Sequence, residues 1–261
     1  MRNKPKKQND PKKKDVVEYL SDQTIASYAR HLRAVLYFFM APEREYLPYF
    51  KIVIPKAEEK VKETYTSQEM SLLTKKPNLK KVTRFSQYRN WVMVMYFVST
   101  ANRLSTVTHL RICDLDFEDE QILLRTTKGK RQYIVPMDKR LKLILIEYLS
   151  YRGGESDDYV FCREDDNKKP LKESSVQTIL ARYNQDRGAQ KTSTHLHRHF
   201  FARHYLKNGG NLLSLKALLG HRTISTTLKY AEMYGEDLKI GFNECNPLAT
   251  FGKGECVKMR R

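Results

Sequence analysis

Six residues stand in an order that suits attack on phosphorus. The segment His195-Leu196-His197-Arg198-His199-Phe200-Phe201-Ala202 is followed by Leu218-Leu219-Gly220-His221, and Tyr230 comes nine residues after that histidine. Upstream, Arg103 precedes Asp114-Leu115-Asp116, and Lys128 opens Lys128-Gly129-Lys130. Displacement at a phosphodiester passes through a five-coordinate phosphorus whose non-bridging oxygens gain negative charge, and preorganised cations stabilise it. Arginine suits that task because its planar fork donates two parallel hydrogen bonds, which makes Arg103 and Arg198 the candidate pair. Tyr230 is the candidate nucleophile. A phenol of pKa about 10 is only ~0.1% ionised at neutral pH, a deficit of roughly 4 kcal/mol that nearby cations and a base must offset. His195 and His221 titrate near neutrality and can accept the phenolic proton or hold a phosphate oxygen. The departing oxygen is a poor leaving group, and Lys128 can protonate it, with Lys130 and Arg131 as alternatives.

Each of these residues has a plainer reading beside it. The chain holds 16 tyrosines, so any one of them is first a packing aromatic. Tyr234 is the rival to Tyr230, four residues on and on the same face of a continued helix. The basic residues around Lys128 can simply hold a DNA backbone. Five of the seven histidines fall between 195 and 221, and His195 and His199 have the i, i+4 spacing of a helical metal pair. No carboxylate or cysteine completes a ligand set nearby and Arg198 opposes a cation, so no metal is expected. His197, His199 and His204 read as structural or DNA-contacting.

The elements that must position these residues are mostly helical. Ile25, Tyr28, Leu32, Leu36 and Phe39 recur at helical spacing after Ser21 or Thr24, either of which can cap the helix. Pro42, Pro48 and Pro55 break the pattern, and Thr66-Ser67-Gln68-Glu69 restarts it with a capping signal. An apolar helix follows over about 87–100 and a short one over 104–110. Residues 121–125 and 132–136 read as two strands of a β-hairpin with Lys128 at its tip. Helices then occupy about 138–151, 173–186, 195–208, 212–219 and 223–232. The fold expected is α+β, mainly α: a helical domain over 66–240 carrying a small antiparallel sheet. A short helical module (15–55) and a linker (56–65) precede it, after a basic arm (1–14), and a tail (241–261) follows.

The formal net charge is +18 over 261 residues. Residues 1–14 carry seven basic side chains against one acid, so +6 belongs to the arm and +12 to the rest. A surplus that survives removal of the arm points to an extended polyanion-binding surface, with double-stranded DNA the expected partner. No segment approaches the ~20 apolar residues of a membrane span. The basic N-terminus has no apolar core behind it and does not read as a signal peptide. Cys113, Cys162, Cys245 and Cys256 show no CxxC spacing, as free thiols of a reducing cytoplasm would.

In order, spacing and local structure, this set resembles the tyrosine recombinase (phage integrase) family: an arginine, a hairpin lysine, His-x-x-Arg, Leu-Gly-His, then the tyrosine. The resemblance covers roughly residues 66–240. It selects Tyr230 over Tyr234 by the nine-residue offset, and Lys128 over its neighbours because the lysine before the glycine is commonly the catalytic one. It implies site-specific DNA cleavage and rejoining through a 3′-phosphotyrosine, with no cofactor because the covalent link stores the bond energy. It also implies a clamp of two modules on DNA, a homotetramer on two sites and a C-terminal segment docking on a neighbouring subunit. The expected biology is integration or excision of a mobile element or phage, with a type IB topoisomerase or a non-catalytic DNA-binding relative as alternatives. Three positions depart from the family pattern. Thr100-Ala101-Asn102-Arg103 stands for the usual Thr-Gly-Leu-Arg, and Thr106 stands where an acidic residue usually follows the first arginine.

Overall fold

The computed structural model describes residues 20–44, 46–56, 63–77, 84–125, 132–163, 166 and 168–233. The basic arm, Lys128 with Lys130 and Arg131, Tyr234 and the tail over 241–261 lie outside the described residues. The chain divides into two compact units, Met1–Val61 and Lys62–Arg261.

Among its described residues the first unit contains one helix, α1 (Asp22–Phe39). Ser21 caps it, its hydroxyl accepting from the Thr24 backbone N–H at 3.2 Å. Ile25 and Ala26 are buried, whereas Tyr28, Leu32 and Phe39 of the same helical stripe are exposed. Beyond the helix the chain turns at Pro42, the Arg44 guanidinium lies 3.4 Å from the centre of the Phe38 ring, and the Ile52 backbone N–H donates to the Tyr37 hydroxyl.

The second unit is built around α3 (Phe85–Thr100), where every residue from Trp91 to Phe97 is buried. A helix apolar on all sides must be covered on all sides, and α2 (Ser67–Thr74), α5 (Lys139–Arg152), α6 (Glu173–Asp186) and α7 (His195–Lys207) pack against it. The Thr66/Glu69 capping box forms as the sequence predicts, and the Trp91 indole N–H donates to the Thr74 carbonyl at 3.0 Å. Asp138 caps α5 and Asn211 caps α8 (Leu212–Leu219), each with its side chain on the first-turn N–H groups.

The sheet has three antiparallel strands in the order β1 (Leu115–Asp116), β2 (Gln121–Leu124), β3 (Tyr133–Pro136), with Ile122 opposite Val135. The expected hairpin is therefore β2 and β3. The extra strand β1 is too short for any alternation to show in the sequence, and the Asp116 carboxylate turns the chain into β2 by accepting from the Glu118 and Asp119 N–H groups. The fold class is α+β, mainly helical, as the sequence predicts. Among the described residues no helix is long and apolar enough to cross a membrane.

Candidate active site

Three short elements and the start of α7 build the site. α3 ends at Ala101, which takes a left-handed conformation (φ 53°) and turns the chain so that Arg103 becomes the N-cap of α4 (Leu104–Thr108). A non-glycine residue there costs about 1 kcal/mol. Ala101 is fully buried against Ala202, Leu215, Leu219 and Tyr230, which holds the turn. α8 ends at Gly220, also left-handed (φ 60°), and delivers His221; α9 (Ile224–Met233) then carries Tyr230 back over α7. The glycine of Leu-Gly-His has a second cause besides φ: a Cβ at Gly220 would lie 2.5 Å from the Tyr133 hydroxyl oxygen.

Arg198 is the hub. Only 6% exposed, it donates from Nη1 to the Ala101 carbonyl (2.9 Å) and from Nη2 to the Leu219 carbonyl (2.6 Å) and to His221 Nε2 (2.8 Å). It thus ties together the ends of α3 and α8, the two turns that present Arg103 and His221. Burial, with the Arg103 charge beside it, pulls its pKa down to about 10, so it stays a cation at neutral pH. Because a guanidinium only donates, His221 Nε2 must accept, and the remaining ring proton sits on Nδ1, which donates to Thr227 Oγ1 at 2.8 Å. Burial and the charges of Arg198 and Arg103 lower the His221 pKa to about 4, so this imidazole is neutral at pH 7.

The Tyr230 ring is 5% exposed and lies parallel to the His221 ring, with centroids 6.3 Å apart and planes 5° from parallel. Burial raises the phenol's pKa; the charge of Arg198, hydrogen bonding from the same guanidinium and the charge of Arg103 all oppose that rise. The Tyr230 hydroxyl is also 3.0 Å from His199 Nδ1. Arg103 lines an open groove of about 670 Å³ together with Tyr133, Lys216, Gly220, His221 and Arg222. Its guanidinium makes no hydrogen bond or ion pair with another described residue, which leaves its fork for a ligand. Thr106, in the position usually acidic, is buried, and its backbone N–H donates to the Arg103 carbonyl.

Of the six residues singled out from the sequence, Arg103, Arg198, His221 and Tyr230 therefore meet. His195, the first residue of α7, is exposed and hydrogen-bonds none of them, and Lys128 lies outside the described residues. The strands flanking that segment are nonetheless held, since the buried Asp114 carboxylate pairs with Arg125 directly before it. Three further residues of the site were not among those six. Tyr133 on β3 feels both Arg198 and Arg103; Thr227 fixes His221; His199 meets the tyrosine. For His199 a signal exists in the helical phase: positions 195, 198, 199 and 202 fall on one face of a helix. His197 faces the other way, buried between Tyr65 and Phe97 with neither ring nitrogen hydrogen-bonded to a described residue, and is structural.

The chain is similar to known proteins in sequence and in fold. Tyrosine recombinase XerA of Thermococcus onnurineus is 28% identical over 190 residues, 72% of this chain and 64% of that protein. Tyrosine recombinase XerC of Chlamydia trachomatis serovar D is 30% identical over 196 residues, 74% of this chain and 61% of that protein. The chain thus spans less than two thirds of the length of these two relatives. In fold it resembles the XerH site-specific recombinase, solved bound to a palindromic difH substrate as a post-cleavage complex, with a TM-score of 0.68 and 20% identity over 86% of this chain and 67% of that one. The crystal structure of XerA recombinase aligns at a TM-score of 0.60 with 21% identity, over 87% of this chain and 83% of that one. Residues 64–236 match the phage integrase family, which takes in every element that builds the site from α2 through α9, and to that family the chain belongs.

Proposed function

We propose that this protein is a site-specific DNA recombinase that cuts and rejoins a DNA strand through Tyr230, serving integration or excision of a mobile element or phage. The observation that carries the reading is the Arg198 hub, which brings a cation, a neutral imidazole and the Tyr230 phenol together at the edge of a basic groove. A phosphodiester seated there meets Arg103 and Arg198 at its non-bridging oxygens, and His221, neutral and fixed by Thr227, holds the Arg198 guanidinium in place for it. Tyr230 Oη attacks phosphorus and leaves a 3′-phosphotyrosine, while the departing 5′ oxygen takes a proton from Lys128. His195, one turn before Arg198 and exposed at the head of α7, contacts the DNA phosphate. Reversal with a new 5′-hydroxyl rejoins the strand without a cofactor, since the covalent bond conserves the energy of the one it replaced.

The module over 15–55 and the domain over 66–240 clasp double-stranded DNA in this reading, four copies act on two sites, and the tail over 241–261 links neighbours. The protein works in the cytoplasm. The test starts from a binding site recovered by selection from a random duplex pool and rebuilt with a nick beside the cleavage position. The chain should form a covalent adduct on this substrate, and Tyr230→Phe should abolish the adduct while leaving DNA binding intact. An adduct that persists in Tyr230→Phe and vanishes in Tyr234→Phe would move the nucleophile. Binding without any adduct would reduce the protein to a DNA-binding relative.

A further inference from the structure

The Tyr230 hydroxyl has one histidine as a hydrogen-bond partner among the described residues, and it is neither histidine that the motif spacing singles out. His199 Nδ1 lies 3.0 Å from Tyr230 Oη, with ring centroids 5.5 Å apart. His221 cannot serve, because Arg198 occupies its acceptor nitrogen and Thr227 takes its only proton. His195 is exposed one turn earlier and reaches neither Tyr230 nor Arg198. The Arg198 guanidinium presents only N–H groups and cannot take the phenolic hydrogen, whereas His199 Nδ1, in its Nε2–H tautomer, stands within hydrogen-bond reach to accept it.

We infer that His199 is a catalytic residue, the base that takes the Tyr230 proton during strand cleavage and returns it during rejoining; this rests on Tyr230 being the nucleophile. In the forward step the Oη–P bond forms, the P–O5′ bond breaks and the phenolic proton moves to His199 Nδ1. The leaving 5′ oxygen takes its own proton from the lysine donor. The positive charge gained by His199 is offset by the phosphoryl group, whose charge Arg103 and Arg198 already hold. In the reverse step the 5′-hydroxyl attacks phosphorus and gives its proton back to the lysine, and the imidazolium protonates Oη as it leaves. The distance and the shared face with Arg198 on α7 meet the geometric requirement for a general base, hydrogen-bond reach to the proton it abstracts.

The experiment uses the full chain and the nicked duplex described above, with sulfur in place of the bridging 5′ oxygen so that leaving-group protonation no longer limits the rate. His199→Asn keeps an acceptor near the position of Nδ1 but cannot hold a proton. It should slow adduct formation by about 10²–10⁴-fold. A fluorinated, more acidic tyrosine placed at position 230 should restore most of the loss. His199→Gln is measured in parallel, each variant after its melting curve shows a folded protein. A rate in both variants at or above that of the unaltered chain would overturn the inference. A loss that the acidic phenol does not restore would overturn it too, because His199 would then only position the ring. Rescue by the acidic phenol in His195→Asn, with none in His199→Asn, would transfer the role to His195. If the unaltered chain forms no adduct at all, it is the recombinase reading that fails, an outcome distinct from each of these.

Discussion

Arg198 holds three partners with one planar fork, and that geometry limits what can replace it. A lysine ammonium cannot reach the Ala101 carbonyl, the Leu219 carbonyl and His221 Nε2 together. Arg198→Lys should cost about 2 kcal/mol in a denaturant melt, because buried carbonyls lose their donors, and cleavage should fall by at least roughly 10²-fold. His197 makes a different prediction at the same scale. Burial lowers its pKa from 6.5 to about 4, so between these values the unfolded chain binds a proton that the folded chain refuses. Its contribution is complete above about pH 6.5 and is lost as the pH falls toward 4, a change on the order of 3 kcal/mol. His221 acts in the same direction, burial being the larger cause there too. His197→Phe fits between Tyr65 and Phe97 and removes two unpaired buried nitrogens. Its melting temperature should drop less than that of the unaltered chain between about pH 7 and about pH 5.

At the scale of elements, the site depends on two helix ends that stop in the left-handed region. Glycine is required at position 220 by φ and by the ring of Tyr133, which fills the space a side chain would take. Gly220→Ala should destabilise by about 1–3 kcal/mol, from backbone strain and overpacking, and should displace Tyr133 from the groove, visible as a change in tyrosine fluorescence or in a crystal structure. Ala101 takes the same conformation where family members usually carry glycine, and here the methyl group is packed on Tyr230 and its neighbours. Ala101→Gly removes about 1 kcal/mol of strain and forfeits a buried methyl worth about 0.8 kcal/mol. Its unfolding free energy should therefore stay within about 1 kcal/mol of the original, while Gly220→Ala falls outside that range. Most elements are legible in the sequence: caps at Ser21 and Thr66 mark helix starts, and the change from 3.6-residue to two-residue periodicity marks the hairpin. Strand β1 is not, because two residues carry no period, and α4 ends at Thr108 because His109 turns back to bond the Ser105 carbonyl.

For the whole molecule the governing quantity is charge. With +18 overall and +6 in residues 1–14, binding to duplex DNA should weaken steeply with salt. Removing residues 1–14 should lower the slope of log K against log[salt] by about 0.9 for each phosphate that the arm had neutralised, without changing which sequence is selected. Fluorescence anisotropy over a salt series measures both. A truncated chain with an unchanged slope would mean that the arm neutralises no phosphate.

What the order of residues determined by itself is the inventory and its phasing. Helical periods, caps and breakers are local, so they announced a mainly helical domain with a hairpin, and motif spacing singled out Arg103, Arg198, His221 and Tyr230, which the fold brings together. What only the tertiary structure decided is which side chain meets which. Arg198 bonds the ends of two helices far apart in the chain, His221 has its acceptor nitrogen closed by that arginine, and the Tyr230 hydroxyl faces His199. None of this is encoded by local propensity. It follows from how α7, α8 and α9 pack around a small core of Ala101, Ala202, Leu215 and Leu219, and packing is a property of distant residues brought into contact.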